Sequence, residues 1–147
     1  MKVILIQGAE NTGKTTLCNR IVEWLRKEGF QDILQKYEED KPKKPKHKEL
    51  KDFRAIYGKN SKKILVNTLS DDIDVIKKFE TFYKDNQGVD VLITAIRPSH
   101  SDKQENDLHQ MIKDVYNKPE DVLIDMNENL EDIINQIQKF FRIVKNL

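Results

Sequence analysis

One cysteine, one tryptophan, five glycines and four prolines in 147 residues exclude several kinds of protein at once. A lone thiol, Cys18, leaves no internal disulfide framework and fits a reducing compartment such as the cytosol. Its place between Leu17 and Ile21, at helical spacing, points to a core position rather than a reactive one. No apolar run approaches the ~18 residues of a membrane span. Nor does the chain open on a signal peptide, because Val3 to Ile6 is too short for its apolar region and Gln7-Gly8 follows at once. Charge of one sign is missing as well: 26 basic against 25 acidic residues leave a net charge of +1. Such a chain has no global pull toward nucleic acid or membrane. His47, His100 and His109 share no metal-ligand spacing with one another or with Cys18, which argues against zinc. The length suits one domain, 1–147, with a real core.

What the sequence does have is concentrated near its start. Val3-Ile4-Leu5-Ile6-Gln7 is a short apolar strand, and Gly8-Ala9-Glu10-Asn11-Thr12-Gly13-Lys14-Thr15 fits the pattern G-x-x-x-x-G-K-[ST]. An amphipathic helix follows, with Leu17, Ile21 and Leu25 on one face and Gly29 as its stop. A random chain of this length matches the pattern roughly once in two hundred, and the strand–loop–helix context narrows that further. The chemistry explains the residue types. Glycines let backbone N–H groups close around phosphate oxygens, and the helix that starts near Lys14 adds its positive dipole end. Lys14 can reach terminal phosphates, and the Thr15 hydroxyl can hold Mg²⁺. The nucleotide-binding set is therefore Gly8, Ala9, Glu10, Asn11, Thr12, Gly13, Lys14, Thr15 and Thr16. The competing reading is a glycine turn between a strand and a helix.

This string resembles the phosphate-binding loop of the P-loop nucleoside triphosphate hydrolase superfamily, and GAENTGKTT is similar to the loop of some nucleoside and nicotinamide-riboside kinases. Many small kinases carry glycine where this chain has Asn11, a residue that also tolerates a left-handed backbone. The resemblance implies ATP and Mg²⁺ as cofactors, a three-layer α/β/α sandwich, and a five-stranded, mainly parallel sheet in the order 2-3-1-4-5.

Along the rest of the chain, apolar periodicity predicts strands at Asp32 to Glu38, Lys62 to Leu69, Val89 to Ile96 and Asp121 to Met126. It predicts helices over Asp71 to Lys84 with Ser70 as N-cap, after the capping pair Ser101 and Gln104, and from Leu130 to Val144. Residues 40–48 are basic and twice broken by proline, so they read as a surface loop. Leu50, Phe53, Ile56 and Tyr57 suggest a short helix over 49–57 stopped by Gly58, the two segments forming a candidate lid. Alternating strands and helices argue for an α/β fold, whose ligands sit beyond the carboxyl ends of the strands.

That rule picks out the remaining candidates. Asp71, with Asp72 behind it, is the acid expected to hold or orient Mg²⁺; the alternative is that both merely start a helix. Glu39, in the cluster Glu38-Glu39-Asp40, is placed to activate an acceptor hydroxyl, unless the cluster is a solvated turn. Arg97 ends an apolar strand and can neutralise a transferring phosphoryl group, or simply pair with a carboxylate. Arg54, on the short helix after the basic loop, is a lesser candidate for the same role, and a solvent-facing helix position is the favoured reading of it. The loop 41–48 can cover phosphates or grip a nucleic-acid backbone by charge alone, although it lacks aromatic platforms for bases. Lys14, Arg97, Asp71 and Glu39 form the expected catalytic set, with Thr15 and Asp71 on the metal. The leading expectation is a phosphotransferase acting on a nucleoside, nucleotide or other small alcohol. The alternative is a nucleotide-dependent switch or assembly NTPase acting on a protein partner.

Overall fold

The computed structural model describes residues 1–37, 51–99 and 102–147. In chain order they form β1 (Lys2–Gln7), α1 (Lys14–Lys27), β2 (Gln31–Tyr37), β3 (Phe53–Lys59), β4 (Lys62–Asn67), α2 (Ile73–Asp85), β5 (Val91–Ile96), α3 (Lys103–Tyr116), β6 (Val122–Asp125) and α4 (Leu130–Lys145). The six strands make one mixed sheet in the order β2-β3-β4-β5-β1-β6. The four on the β6 side, β4, β5, β1 and β6, run parallel. β3 is antiparallel to both β2 and β4.

The sheet is buried on both faces, which is why β1 and β5 read as unbroken apolar runs. On one face, Cys18, Ile21, Val22 and Leu25 of α1 and Phe140 and Val144 of α4 pack over Ile4, Ile6, Val91 and Ile93. On the other, Val75, Ile76, Phe79 and Phe82 of α2 and Leu108, Ile112 and Tyr116 of α3 pack over Val3, Leu5, Leu65 and Leu92. Helix, sheet and helix thus form three layers. No described helix is long and apolar enough to cross a membrane.

Two expectations about the sheet are corrected. The segment 49–57, expected as a helix, contains the strand β3 from Phe53, so the sheet has six strands rather than five and is mixed. The reason is local. Phe53, Arg54, Ala55, Ile56 and Tyr57 are all buried, so residues 53–57 lie inside the sheet. Asn60 and Ser61, with φ of 51° and 66°, then make a two-residue reversal into β4, closing at the pair Lys59 and Lys62. The order is also not 2-3-1-4-5: β1 lies between β5 and β6, not beside β4.

Helix starts shift by a residue or two. Asp72, not Ser70, caps α2 by accepting from the Val75 N–H at 3.0 Å. Ser101 lies outside the described residues, and Asp102 caps α3 by accepting from the Glu105 N–H at 3.1 Å.

Candidate functional site

The loop from Gly8 to Gly13 joins β1 to α1 at the carboxyl edge of the parallel strands. Two left-handed residues shape it, Asn11 at φ 61° and Gly13 at φ 91°. Asn11 thus takes the conformation that glycine usually supplies. Gly8 is required for a different reason: a Cβ there would lie 2.3 Å from Oγ1 of Thr12 and 3.2 Å from Cβ of Met126. The Gly8 N–H is tied to the Ile96 carbonyl at 3.1 Å, and the Thr12 hydroxyl donates to the Ala9 carbonyl at 2.8 Å. These contacts hold the loop folded over the ends of β1 and β5.

Helix α1 begins differently from its three companions. Asp72, Asp102 and Asn129 cap α2, α3 and α4 through their side chains, whereas Gly13 gives α1 no side-chain cap. The first backbone bond of α1 runs from the Leu17 N–H to the Gly13 carbonyl at 2.9 Å. Among the described residues, the N–H groups from Ala9 to Thr16 donate no close backbone–backbone hydrogen bond outside the helices and strands. Donors left open beside a helix start attract an anion, since the dipole and the N–H groups act together.

Lys14 is buried, and its ammonium donates to the Gly8 carbonyl and to the Ala9 carbonyl, the latter at 3.2 Å. Burial lowers its pKa to about 8, and the nearby Arg97 guanidinium adds to the fall; Asp71, Cys18 and Asp52 oppose it. Lys14, Arg97, Asp71 and Asp52 therefore share one electrostatic neighbourhood. Cys18, fully buried beneath it, is pushed up to about 12 by desolvation and stays a neutral thiol, as its core position led one to expect.

Arg97 and Asp71 come together as an ion pair, with Nη2 of Arg97 2.9 Å from Oδ1 of Asp71. The arginine side chain is 9% exposed and the aspartate 47%. The Nε of Arg97 is buried and finds no hydrogen-bond partner among the described residues. Its carbonyl meets Nδ1 of His109 at 2.6 Å, which ties the end of β5 to α3.

The hydroxyl of Thr15 does not meet Asp71. It donates to Oδ1 of Asp52 at 2.9 Å, and the same oxygen accepts from the Thr68 hydroxyl at 3.0 Å. Thr68 also accepts from the Phe53 N–H at 2.9 Å, which fixes the start of β3 against the end of β4. Because β3 runs antiparallel, its first residues arrive at the edge where the parallel strands end. Sequence reasoning missed Asp52, which lies inside the segment 49–57 mistaken for a helix, directly ahead of β3; nothing in its neighbours marks it. Arg54 was expected on a solvent-facing helix. It lies on β3, buried, and its Nη2 donates to the Val75 carbonyl at 2.7 Å.

Glu10, Asn11 and Thr16 are exposed at the mouth of the loop. Glu39 with Glu38 and Asp40, the basic loop 41–48, His47 and His100 lie outside the described residues. Among the described residues, no three His, Cys, Asp or Glu side chains gather as a metal cluster. A magnesium ion carried in on phosphates keeps its waters and takes only one or two protein ligands, so it needs no such cluster. The open amides, the two neighbouring cations and the Thr15–Asp52 pair fit such a complex. No protein-family model matches the chain, and no curated protein or solved structure is significantly similar to it.

Proposed function

We propose that this chain is a member of the P-loop superfamily that binds a nucleoside triphosphate with magnesium and transfers its terminal phosphoryl group to a small hydroxyl-bearing acceptor. The observation that carries the reading is the start of α1: N–H groups from Ala9 to Thr16 that, among the described residues, donate no backbone–backbone hydrogen bond outside the helices and strands, beside a buried lysine folded over the same loop. In this reading the amides and Lys14 hold the phosphates. Thr15, oriented by Asp52, holds the magnesium ion, and Asp52 takes the metal-orienting role first assigned to Asp71. When bound, such an ion would supply positive charge against the phosphate oxygens. Lys14 and Arg97 supply the remaining positive charge where the transferring group becomes more anionic. Positioning and charge neutralisation do most of the work in such transfers.

A switch reading draws on the Arg97–Asp71 pair, which connects the loop's surroundings to the start of α2. One assay separates the two. The protein is incubated with γ-labelled ATP and Mg²⁺ against a panel of nucleosides, nucleotides and oligonucleotide ends. Label arriving on an acceptor supports the phosphotransferase, and slow phosphate release with tight nucleotide binding supports the switch. Lys14→Ala should abolish either outcome and weaken nucleotide binding roughly 100-fold or more; activity that survives it has another source.

A further inference from the structure

Asp71 and Arg97 allow a step beyond this reading, on which the step rests. A buried guanidinium is well placed only when its donors are matched, and this one is half matched: Nη2 has Asp71, whereas Nε is sealed from water with no acceptor among the described residues. A second cation is anchored on the adjoining loop: the Lys14 ammonium donates to the Gly8 carbonyl, and the Gly8 N–H donates to the carbonyl of Ile96, the residue before Arg97. Two neighbouring cations and an unmatched buried donor point to an anion that belongs between them. Asp71 is the only carboxylate ion-paired to Arg97 among the described residues, and it reaches in from an exposed position just before α2. A short, half-exposed carboxylate is an easily displaced partner.

We infer that Asp71 is an intramolecular stand-in for the terminal phosphate of the bound polyphosphate, and that ligand binding moves Arg97 from Asp71 onto that phosphate. The loop amides and Lys14 recognise the inner phosphates of triphosphate and diphosphate alike. Arg97 reaches only the last phosphate of the longer ligand, so the exchange sets selectivity for triphosphate over diphosphate. Asp71 then lowers triphosphate affinity by competing for Arg97, the opposite of what a metal ligand does. The freed carboxylate stands just before α2, where its release changes the surface next to the N-cap Asp72.

The test is the Asp71→Asn variant, with binding of ATP and ADP measured by calorimetry in Mg²⁺ and again in EDTA. The inference expects ATP to bind about fivefold tighter than to the parent chain in both buffers, with ADP changed less than twofold. Arg97→Gln should lose the discrimination between ATP and ADP, and Asp71→Asn on top of it should change nothing further. Equal tightening of ATP and ADP reduces Asp71 to a general charge and overturns the exchange. Weaker ATP binding confined to Mg²⁺ makes Asp71 a metal ligand instead, and overturns it too. If the parent chain binds neither nucleotide, the phosphate-loop reading fails and the inference falls with it. Binding by the parent chain without the Asp71 effect removes the inference alone.

Discussion

On the proposed reading, Lys14 combines two demands that pull in opposite directions. A phosphate site wants a fixed, poorly hydrated cation, and a folded protein is destabilised by burying one. Its pKa, lowered from 10.5 to about 8, measures that conflict. Between these values the unfolded chain binds more protons than the folded one, so the lysine's unfavourable contribution is fully present below pH 8 and fades as the pH rises toward 10.5. The difference corresponds to at most about 3 kcal/mol. Lys14→Met forfeits bonds to the Gly8 and Ala9 carbonyls worth about 1 kcal/mol each, so a net gain of about 1 kcal/mol at pH 7 is expected. Urea denaturation at pH 7 and pH 10 checks this: the variant should be the more stable at the lower pH, with the gap closing at the higher. A variant less stable at pH 7 would mean that the ammonium supports the loop more than it strains it. Function should move the other way, with polyphosphate affinity of the parent chain declining through pH 8. Lys14→Arg, which stays charged, should remove that decline even where it binds more weakly. Fluorescence titration with a labelled nucleotide from pH 6.5 to 9.5 separates these outcomes.

At the scale of elements, the β3–β4 hairpin decides the architecture, and its turn is less than ideal. Asn60 and Ser61 both sit at positive φ, a conformation that asparagine tolerates and serine resists. Ser61→Gly creates the Asn-Gly pair favoured in such reversals, and stability should rise by about 1 kcal/mol. Ser61→Val should lower it by a similar amount or more; equal midpoints for the two variants in urea would show that the turn carries no strain. The same hairpin marks where the sequence was hard to read. β1 and β5 stood out because burial on both faces leaves an unbroken apolar run, and α1, α2 and α4 because one apolar stripe repeats at 3.6 residues. Phe53, Ile56 and Tyr57 satisfy helical spacing equally well, and periodicity alone does not separate a short buried strand from a helix. The phosphate-loop pattern was legible because its chemistry is local: eight consecutive residues make the turn. The Thr15–Asp52 bond spans 37 positions, depends on the antiparallel course of β3, and leaves no trace in either neighbourhood.

For the molecule as a whole, the sheet lies between two separate apolar clusters of buried residues, one on each face. Phe140 belongs to the layer of α1 and α4, Phe79 to that of α2 and α3, and both are fully buried. Truncating either to alanine should destabilise the protein by about 3–5 kcal/mol, the usual loss for a large aromatic in a close-packed core. What distinguishes this fold is how the two losses communicate. Alternate residues of β1 face opposite layers, with Ile4 and Ile6 toward α1 and Val3 and Leu5 toward α2, and β5 divides in the same way. Neither layer can come apart without freeing the faces of strands that the other still needs, so unfolding should be one cooperative step. Trp24, the chain's single tryptophan, reports on one side only, through its stacking on Phe141 at 4.2 Å and its edge contact with Phe140 at 5.6 Å. Phe79→Ala lies beyond the sheet from it. In guanidinium, that substitution should lower the midpoint followed by Trp24 fluorescence as far as the midpoint followed by far-UV circular dichroism. A fluorescence midpoint left where it was, with the dichroism midpoint displaced, would mean that the layers unfold separately and that the central strands do not bind the molecule into one unit.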